Sequence, residues 1–316
     1  MNLSSRLMPG IPLVESPLFS ASLEQSDLAP QERDIARALH DRGYAVIDFP
    51  DPAIEQRIAR IQSRLAYRFG TDPVDPTRIV SGGESRMQDA WRSDPDVQAI
   101  AANEAVLSLL SGLYGRRAIP FQTLNFPVGT QQHLHSDSVH FSSAPERFMC
   151  GVWLAMEDVH PDAGPLTYVP GSHRWPLLGN GLIGRTGYGT RLPSAQAPFE
   201  DAWRAMVDAS GARPEMFHAR KGQALIWCAN LLHGGSARRD LSRTRWSQVT
   251  HYYFENCCYL TPAYSDEMIG KLALRSIVDI STGKAVPNLY NHAPVAMPKR
   301  PRLHRLRSQL GRWLMR

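Results

Sequence analysis

Nothing in these 316 residues resembles a membrane span, since no apolar run approaches the roughly 18–20 residues a bilayer-crossing helix requires. The first thirty residues hold Pro9, Pro12 and Pro17 but no basic stretch leading into an apolar one, so no secretory leader is expected. Cysteine is scarce and badly spaced for cross-linking: Cys150, Cys228 and the adjacent Cys257 and Cys258, with no CxxC pair. That excludes a disulfide framework and a cysteine zinc site, and it predicts a cytoplasmic protein. A net positive charge is also missing from most of the chain. Seven basic residues and no acidic one lie between Lys299 and Arg316, so the formal net charge of +5 leaves the remainder slightly acidic. A general nucleic-acid-binding surface is thereby excluded.

What is present divides into two textures, and the chain, which has no internal repeat, reads as one domain over 1–316. Residues 1–29 form an irregular arm rich in Pro and Ser. A helical layer over 30–119 follows. In it Ile35, Ala36 and Leu39 recur at helical spacing and Gly43 marks a stop before the strand-like YAVIDF. Ile54, Ile58, Ile61 and Leu65 share a face of a second helix, and 95–114 reads as a third. Beyond Pro120 come short strand-like runs broken by PVGT, PDAGP and KGQ turns: FQTLNF, HLHSDSVHF, RFMCGVWLAMED, GPLTYVPGS, QALIWCAN and SQVTHYYFE. The pattern is a β-rich core over 120–262, with a long insertion at 177–215 of the kind that often forms a lid or substrate loop.

The densest chemistry lies in HLHSDSVHF. Read as a strand, it directs His133, His135 and Asp137 to one face and Ser136 and Ser138 to the other. His-x-Asp is the local part of the two-histidine, one-carboxylate set that binds non-haem Fe(II) and leaves positions open for co-substrate and oxygen. The third ligand must be distant: His140, His160, His173, His218, His233 and His251 are candidates. His233 stands out, because it follows a strand-like run and precedes Gly234 and Gly235, which let backbone approach a ligand closely. Arg243 or Arg245 follows, and a guanidinium fork suits a buried dicarboxylate. A glutamate shortly after His133-x-His135 would make a cupin pattern, but none comes before Glu146.

These residues resemble the phytanoyl-CoA dioxygenase-like family of Fe(II)/2-oxoglutarate oxygenases. Three motifs carry the similarity: His135-Ser136-Asp137, GPLTYVPGSHR at 164–174, and HGGS at 233–236 with an arginine downstream. The resemblance implies a mainly β, double-stranded β-helix (jelly-roll, cupin-like) core with flanking helices. It implies Fe(II) on His135, Asp137 and His233, with 2-oxoglutarate and O2 as co-substrates. Arg245, six residues before His251-Tyr252, matches the family arginine that clamps the far carboxylate of 2-oxoglutarate, with Arg243 the second choice. Asn125, Trp153 and Ser236 match softer co-substrate positions; Gly235 stands where relatives often carry Ser. The implied activity is hydroxylation of a small organic substrate, coupled to decarboxylation of 2-oxoglutarate to succinate and CO2. A halogenase would lack the carboxylate ligand, and a non-catalytic metal-binding jelly-roll would not need Arg245.

Other residues keep two readings each. His133 lines the pocket or packs in the strand; His140 and His160 read as structural. His173 caps a strand, and Trp153 is either core or a cofactor contact. Arg86, Gln88, Asp89 and Trp91 reach the substrate, or Asp89 starts a helix. The basic residues over 177–221 (Arg185, Arg191, Arg204, Arg213, Arg220, Lys221) suit an anionic substrate or a solvated loop. In the tail, 298–316, Leu303, Leu306, Leu310 and Trp313 or Leu314 recur at three-to-four spacing among arginines. Such a stripe docks on the core, makes an oligomer contact, or lies on an anionic membrane surface.

Overall fold

Pro30 at the first helical position and Gly43 just past the last bracket a helix from both ends, and the chain obeys. The structure, a computed structural model, describes residues 3–297, so the basic tail lies outside the described residues. Its helices are α1 (Leu3–Leu7), α2 (Phe19–Glu24), α3 (Pro30–Arg42), α4 (Ile54–Phe69), α5 (Pro95–Ala101), α6 (Glu104–Tyr114) and α7 (Glu200–Ser210). Gly43 closes α3 at φ 84°, in the left-handed region where a side chain is strained. A Cβ there would also lie 2.5 Å from Nδ1 of His173, so the same glycine lets the PGSHR turn pack against the helix end.

A larger antiparallel sheet faces two smaller ones. The larger is built from β1 (Tyr44–Asp48), β2 (Met87–Gln88), β3 (Ala118–Phe126), β5 (Met149–Ala155), β8 (Gln223–Cys228) and β10 (Ser247–Phe254), in the order β1-β8-β5-β10-β3-β2. Opposite it, β6 (Leu166–Tyr168) lies between β7 (Glu215–Phe217) and β9 (His233–Gly235), while β4 (Ser142–Ala144) pairs with β11 (Cys258–Leu260). This is the jelly-roll. Alternation along the central strands sends Val152, Leu154 and Ile226 toward the helical layer, where they bury Ile58, Ile61, Leu110 and Leu113. It sends Trp153, Leu225, Trp227 and Val249 inward against Leu166, Tyr168 and Phe217 of the small sheet. Gly151 pairs with Trp227 across β5 and β8. Any Cβ there would sit 2.1 Å from the indole, so glycine is what admits this side chain.

Three expectations change. Residues 3–29 are not an irregular arm: α1, α2 and a 3-10 turn at Leu13–Glu15 bury Leu13, Val14, Phe19 and Leu23 in the core. The 95–114 segment is two helices, because Asn103 accepts from the Val106 amide and so starts α6 afresh. HLHSDSVHF is not a strand. His135 alone bridges His233, and Asp137–Val139 is a 3-10 turn. The serines at 136 and 138 satisfy local backbone and Asn230 instead of leaving the amides free for a ladder.

Arg57, Arg60 and Arg64 recur at three-to-four spacing on α4 and converge on Asp96, at 3.0, 2.7 and 2.6 Å. Hydrogen bonds from Arg60, then Arg64 and Arg57, hold the Asp96 carboxyl well below the usual carboxylate range, against the opposing effect of burial. The arginine ends are partly exposed, which screens the cluster, so Asp96→Asn should cost about 1–2 kcal/mol at pH 7. With a depressed folded pKa, this stabilisation is complete above the unfolded value of about 4 and is lost as pH falls below it. Urea unfolding of both proteins at pH 7 and pH 3 checks this: the gap between them should narrow in acid.

Candidate metal centre and its cavity

His135 and His233 form an isolated antiparallel bridge, each amide donating 2.9 Å to the other's carbonyl. That pairing brings their rings to 4.5 Å between centroids. Asp137, two residues on, turns in at the start of its 3-10 turn, with a carboxylate oxygen 3.9 Å from His135 Nε2 and the other 3.7 Å from His233 Nε2. One ligand atom from each of the three residues lies within 4.8 Å of the others. All three are buried, at 4–7% exposure.

The ring chemistry fits a cation. Nδ1 of His135 lies 2.9 Å from the His133 carbonyl, and Nδ1 of His233 lies 3.0 Å from that of Leu231. A carbonyl only accepts, so each Nδ1 carries the proton, and a neutral ring then presents an Nε2 lone pair to the centre. Burial and the neighbouring His233 lower His135 to about 3, which keeps that ring neutral. Burial opposes ionisation of Asp137, but His233, His251 and His135 outweigh it and hold the carboxyl well below the usual range. Trp227 Nε1–H donates to Asp137 Oδ2 at 3.0 Å and fixes its rotamer.

Behind the ligands is a buried polar network. The Asn230 carboxamide oxygen receives the hydroxyls of Ser136 and Ser138 at 3.0 and 3.2 Å. Its NH2 donates to the carbonyls of His173 and Trp175. Ser172 Oγ accepts from the Leu232 amide and donates to the Val169 carbonyl, which ties PGSHR to the residue preceding His233. His173 itself donates through Nε2 to the His40 carbonyl; it is structural.

The centre opens into a cavity of about 400 Å3. Gln122, Leu124 and Phe126 line it from β3, and Val249 and His251 from β10, each obeying strand alternation. Arg245 also lines it, 2% exposed, with Nη1 donating to the Gly164 carbonyl at 3.2 Å and its Nε without a hydrogen-bond partner. Burial lowers this guanidinium to about 10, with Glu157 opposing, so it stays charged at neutral pH. Glu157 grips both neighbours of Arg245, accepting from the Trp246 amide at 2.8 Å and the Thr244 hydroxyl at 2.9 Å. Trp153 lies beneath the guanidinium, 5.4 Å from ring centroid to Cζ, and its indole N–H is likewise unpartnered. Buried donors without acceptors are costly unless something else accepts from them.

The remaining expected residues are placed as follows. Arg243 is on the surface with Asp240, at 3.0 Å. Asn125 faces the helical layer: the alternation that turns Leu124 and Phe126 inward turns it outward, where it donates to Gln248 at 3.3 Å. Ser236 donates to the Pro165 carbonyl at 3.0 Å and is not among the cavity-lining residues. His133 is exposed and borders a separate depression beside α7, because its segment is not a strand. His160 and His218 are exposed, whereas His140 does line the cavity, as do Arg86 and Gln88. Asp89 takes a left-handed conformation, φ 55°, and its carboxylate accepts from Trp91 Nε1. The insertion supplies Pro193, Ser194, Ala195 and Gln196 to the wall, but none of its basic residues. His251 went unselected in the sequence, yet it lies 3.6 Å from Asp137 and bonds Gln122. Its signal was the alternation with Val249. Asn230 had no local signal at all.

Among solved structures, the non-heme alpha ketoglutarate dependent epimerase SnoN from nogalamycin biosynthesis is similar at a TM-score of 0.55 and 19% identity, covering 85% of this chain and 96% of that one. The carbocyclase SnoK from the same biosynthesis gives 0.54 and 15%, covering 86% and 95%. EctD from S. alaskensis, with 2-oxoglutarate and 5-hydroxyectoine, gives 0.52 and 19%, covering 72% and 77%. At these identities the likeness is one of fold. A probable phytanoyl-CoA dioxygenase of Caenorhabditis elegans is 26% identical over 131 residues, covering 41% of this chain and 38% of that protein's length. The family described as phytanoyl-CoA dioxygenase (PhyH) matches residues 39–244, more than half of the chain and inclusive of all three candidate ligands. The chain therefore belongs to the phytanoyl-CoA dioxygenase (PhyH) family.

Proposed function

We propose that the protein hydroxylates a small organic substrate, with Fe(II) held by His135, Asp137 and His233 and the far carboxylate of 2-oxoglutarate paired with Arg245. The observation that carries this reading is one shared cavity: two histidines and a carboxylate with free ligand atoms open into it, and a buried arginine lines the same space. Three protein ligands leave coordination positions for co-substrate and O2. When bound, the metal with 2-oxoglutarate and O2 supplies a C–H oxidant at the cost of decarboxylating 2-oxoglutarate.

The protein's own part is ligation, orientation and exclusion of water. His135 and His233 offer Nε2 because their Nδ1 protons are committed to backbone. Trp227 orients Asp137. Arg245, with Gly164 occupying only one of its donors, offers a dicarboxylate the remaining fork, and Trp153 Nε1 offers a further donor beside it. Low exposure makes these interactions stronger than they would be in water.

Ala at His135, Asp137 or His233 should abolish Fe(II)-dependent succinate formation and lower the iron content of the purified protein. Full activity in His233→Ala would move the third ligand elsewhere. Truncating one side of a buried charged pair costs about 2–5 kcal/mol. Arg245→Ala should therefore raise the apparent 2-oxoglutarate constant at least tenfold, while the surface Arg243→Ala stays within twofold; the reverse ranking refutes the assignment. Because Asp137 fills the position a halide would need, mass spectrometry should find a product that gains oxygen even in high chloride. A chlorinated product from the unmutated protein would sink the hydroxylase reading.

A further inference from the structure

The cavity wall carries three fixed charges: Asp137, Arg245 and Arg86. The first belongs to the metal centre, and the second is buried and suits the single far carboxylate of 2-oxoglutarate. Arg86 is left over. It is exposed, and among the described residues its guanidinium has no ion-pair or hydrogen-bond partner. Its backbone is not a free loop, since it directly precedes β2, which pairs with β3 through Met87–Asn125 and Gln88–Leu124. The Asp89 amide then donates to the Thr123 carbonyl at 2.8 Å. Residues 86 and 88 share a face, so Gln88 stands beside Arg86 in the cavity, opposite Leu124. Ser194 and Gln196 of the insertion add neutral hydrogen-bonding groups, and Phe141 adds an apolar surface.

We propose that Arg86 anchors an anionic group, a carboxylate or a phosphate, on the substrate, leaving its uncharged body to lie between Phe141 and the insertion. This rests on the oxygenase reading above and names the substrate class for it. A planar guanidinium with all its donors free binds either anion bidentately. The wall has no carboxylate besides Asp137 to repel or compete. The basic residues of the insertion play no part, because Arg204 pairs with Asp201, Lys221 with Glu55, and none of them lines the cavity. A space of about 400 Å3 shared with 2-oxoglutarate holds only a small molecule.

The test uses full-length protein loaded anaerobically with Fe(II) and 2-oxoglutarate. The probes are small monocarboxylates and phosphate monoesters, each beside its primary amide or free alcohol. Binding is read from the change each causes in the iron–2-oxoglutarate charge-transfer band, and turnover from probe-dependent succinate on admitting air. The expected responders are anionic members, at least tenfold tighter than their neutral partners, and the series that responds separates carboxylate from phosphate. Arg86→Gln should weaken the responder at least tenfold and Arg86→Lys less, with the 2-oxoglutarate dissociation constant changing under twofold and Tm unchanged. Equal binding of neutral partners, no response from any probe, or unaltered binding in Arg86→Gln overturns the inference while the oxygenase reading stands. If wild-type protein forms no such band, the oxygenase reading fails instead. Calorimetry of the same pairs on metal-free wild-type and Arg86→Gln protein then decides on the anion site by the same tenfold criterion.

Discussion

The geometry of the centre depends on one buried carboxamide. Asn230 is 4% exposed and makes contacts with two separate stretches of chain: Ser136 and Ser138 on its oxygen, His173 and Trp175 on its nitrogen. Neither the His135–Asp137 segment nor the approach to His233 is regular structure. A single bridge pair joins them, and a single bridge does not fix a two-residue offset between a histidine and a carboxylate. The carboxamide does, because it has both donors and acceptors and satisfies both sets in a setting of low dielectric. No charged or apolar side chain of that size offers the combination.

The metal centre and the rest of the cavity are therefore held by different means. The floor is sheet: Gln122, Leu124, Phe126, Trp153, Val249 and His251 reach the cavity because alternation on β3, β5 and β10 leaves them no other face. Of the candidate ligands, His135 and Asp137 lie on a loop and a 3-10 turn positioned by side-chain hydrogen bonds, and His233 opens the short strand β9. Trp227 links the two systems. It belongs to β8, fits only because residue 151 on β5 is glycine, and donates to Asp137. A rigid sheet thus sets the orientation of a loop carboxylate through one indole.

This division explains what could be read from the residues. Periodic segments were legible: α3 and α4 begin and end within a residue or two of their signals, and the six runs beyond Pro120 yield β3, β5, β6, β8 and β10. The exception was HLHSDSVHF, whose ligand-type residues at alternating positions 133, 135 and 137 imitate one face of a strand. Ser136 and Ser138 bond to Asn230 and to local backbone, a competition between side chain and ladder that period counting does not register. His135, Asp137 and His233 nevertheless lie together in the structure, since motif spacing survives a wrong secondary structure. The same alternation rule, applied to FQTLNF, would have turned Asn125 away from the cavity, where the structure has it. Asn230 and Glu157 were invisible because each acts on partners that are remote in sequence or through its neighbours' backbone.

Part of the cavity wall beyond the sheet floor and the candidate metal centre comes from two additions to the framework: the short edge strand β2 and the insertion around residues 193–196. Both can vary without disturbing the Asn230 network, because neither contributes a hydrogen bond to it. A fold that supports several chemistries must confine its differences to such places, since any change at the ligands would cost the metal. Arg86 and Gln88 are on the first addition, Ser194 and Gln196 on the second. Gln196 also accepts from Gln132 at 3.3 Å and donates to Glu200 at 2.8 Å, so the insertion wall is tied both to the segment leading into His135 and to the start of α7. The insertion wall and the candidate metal centre are therefore mechanically adjacent but chemically separate, and that glutamine is one link between them.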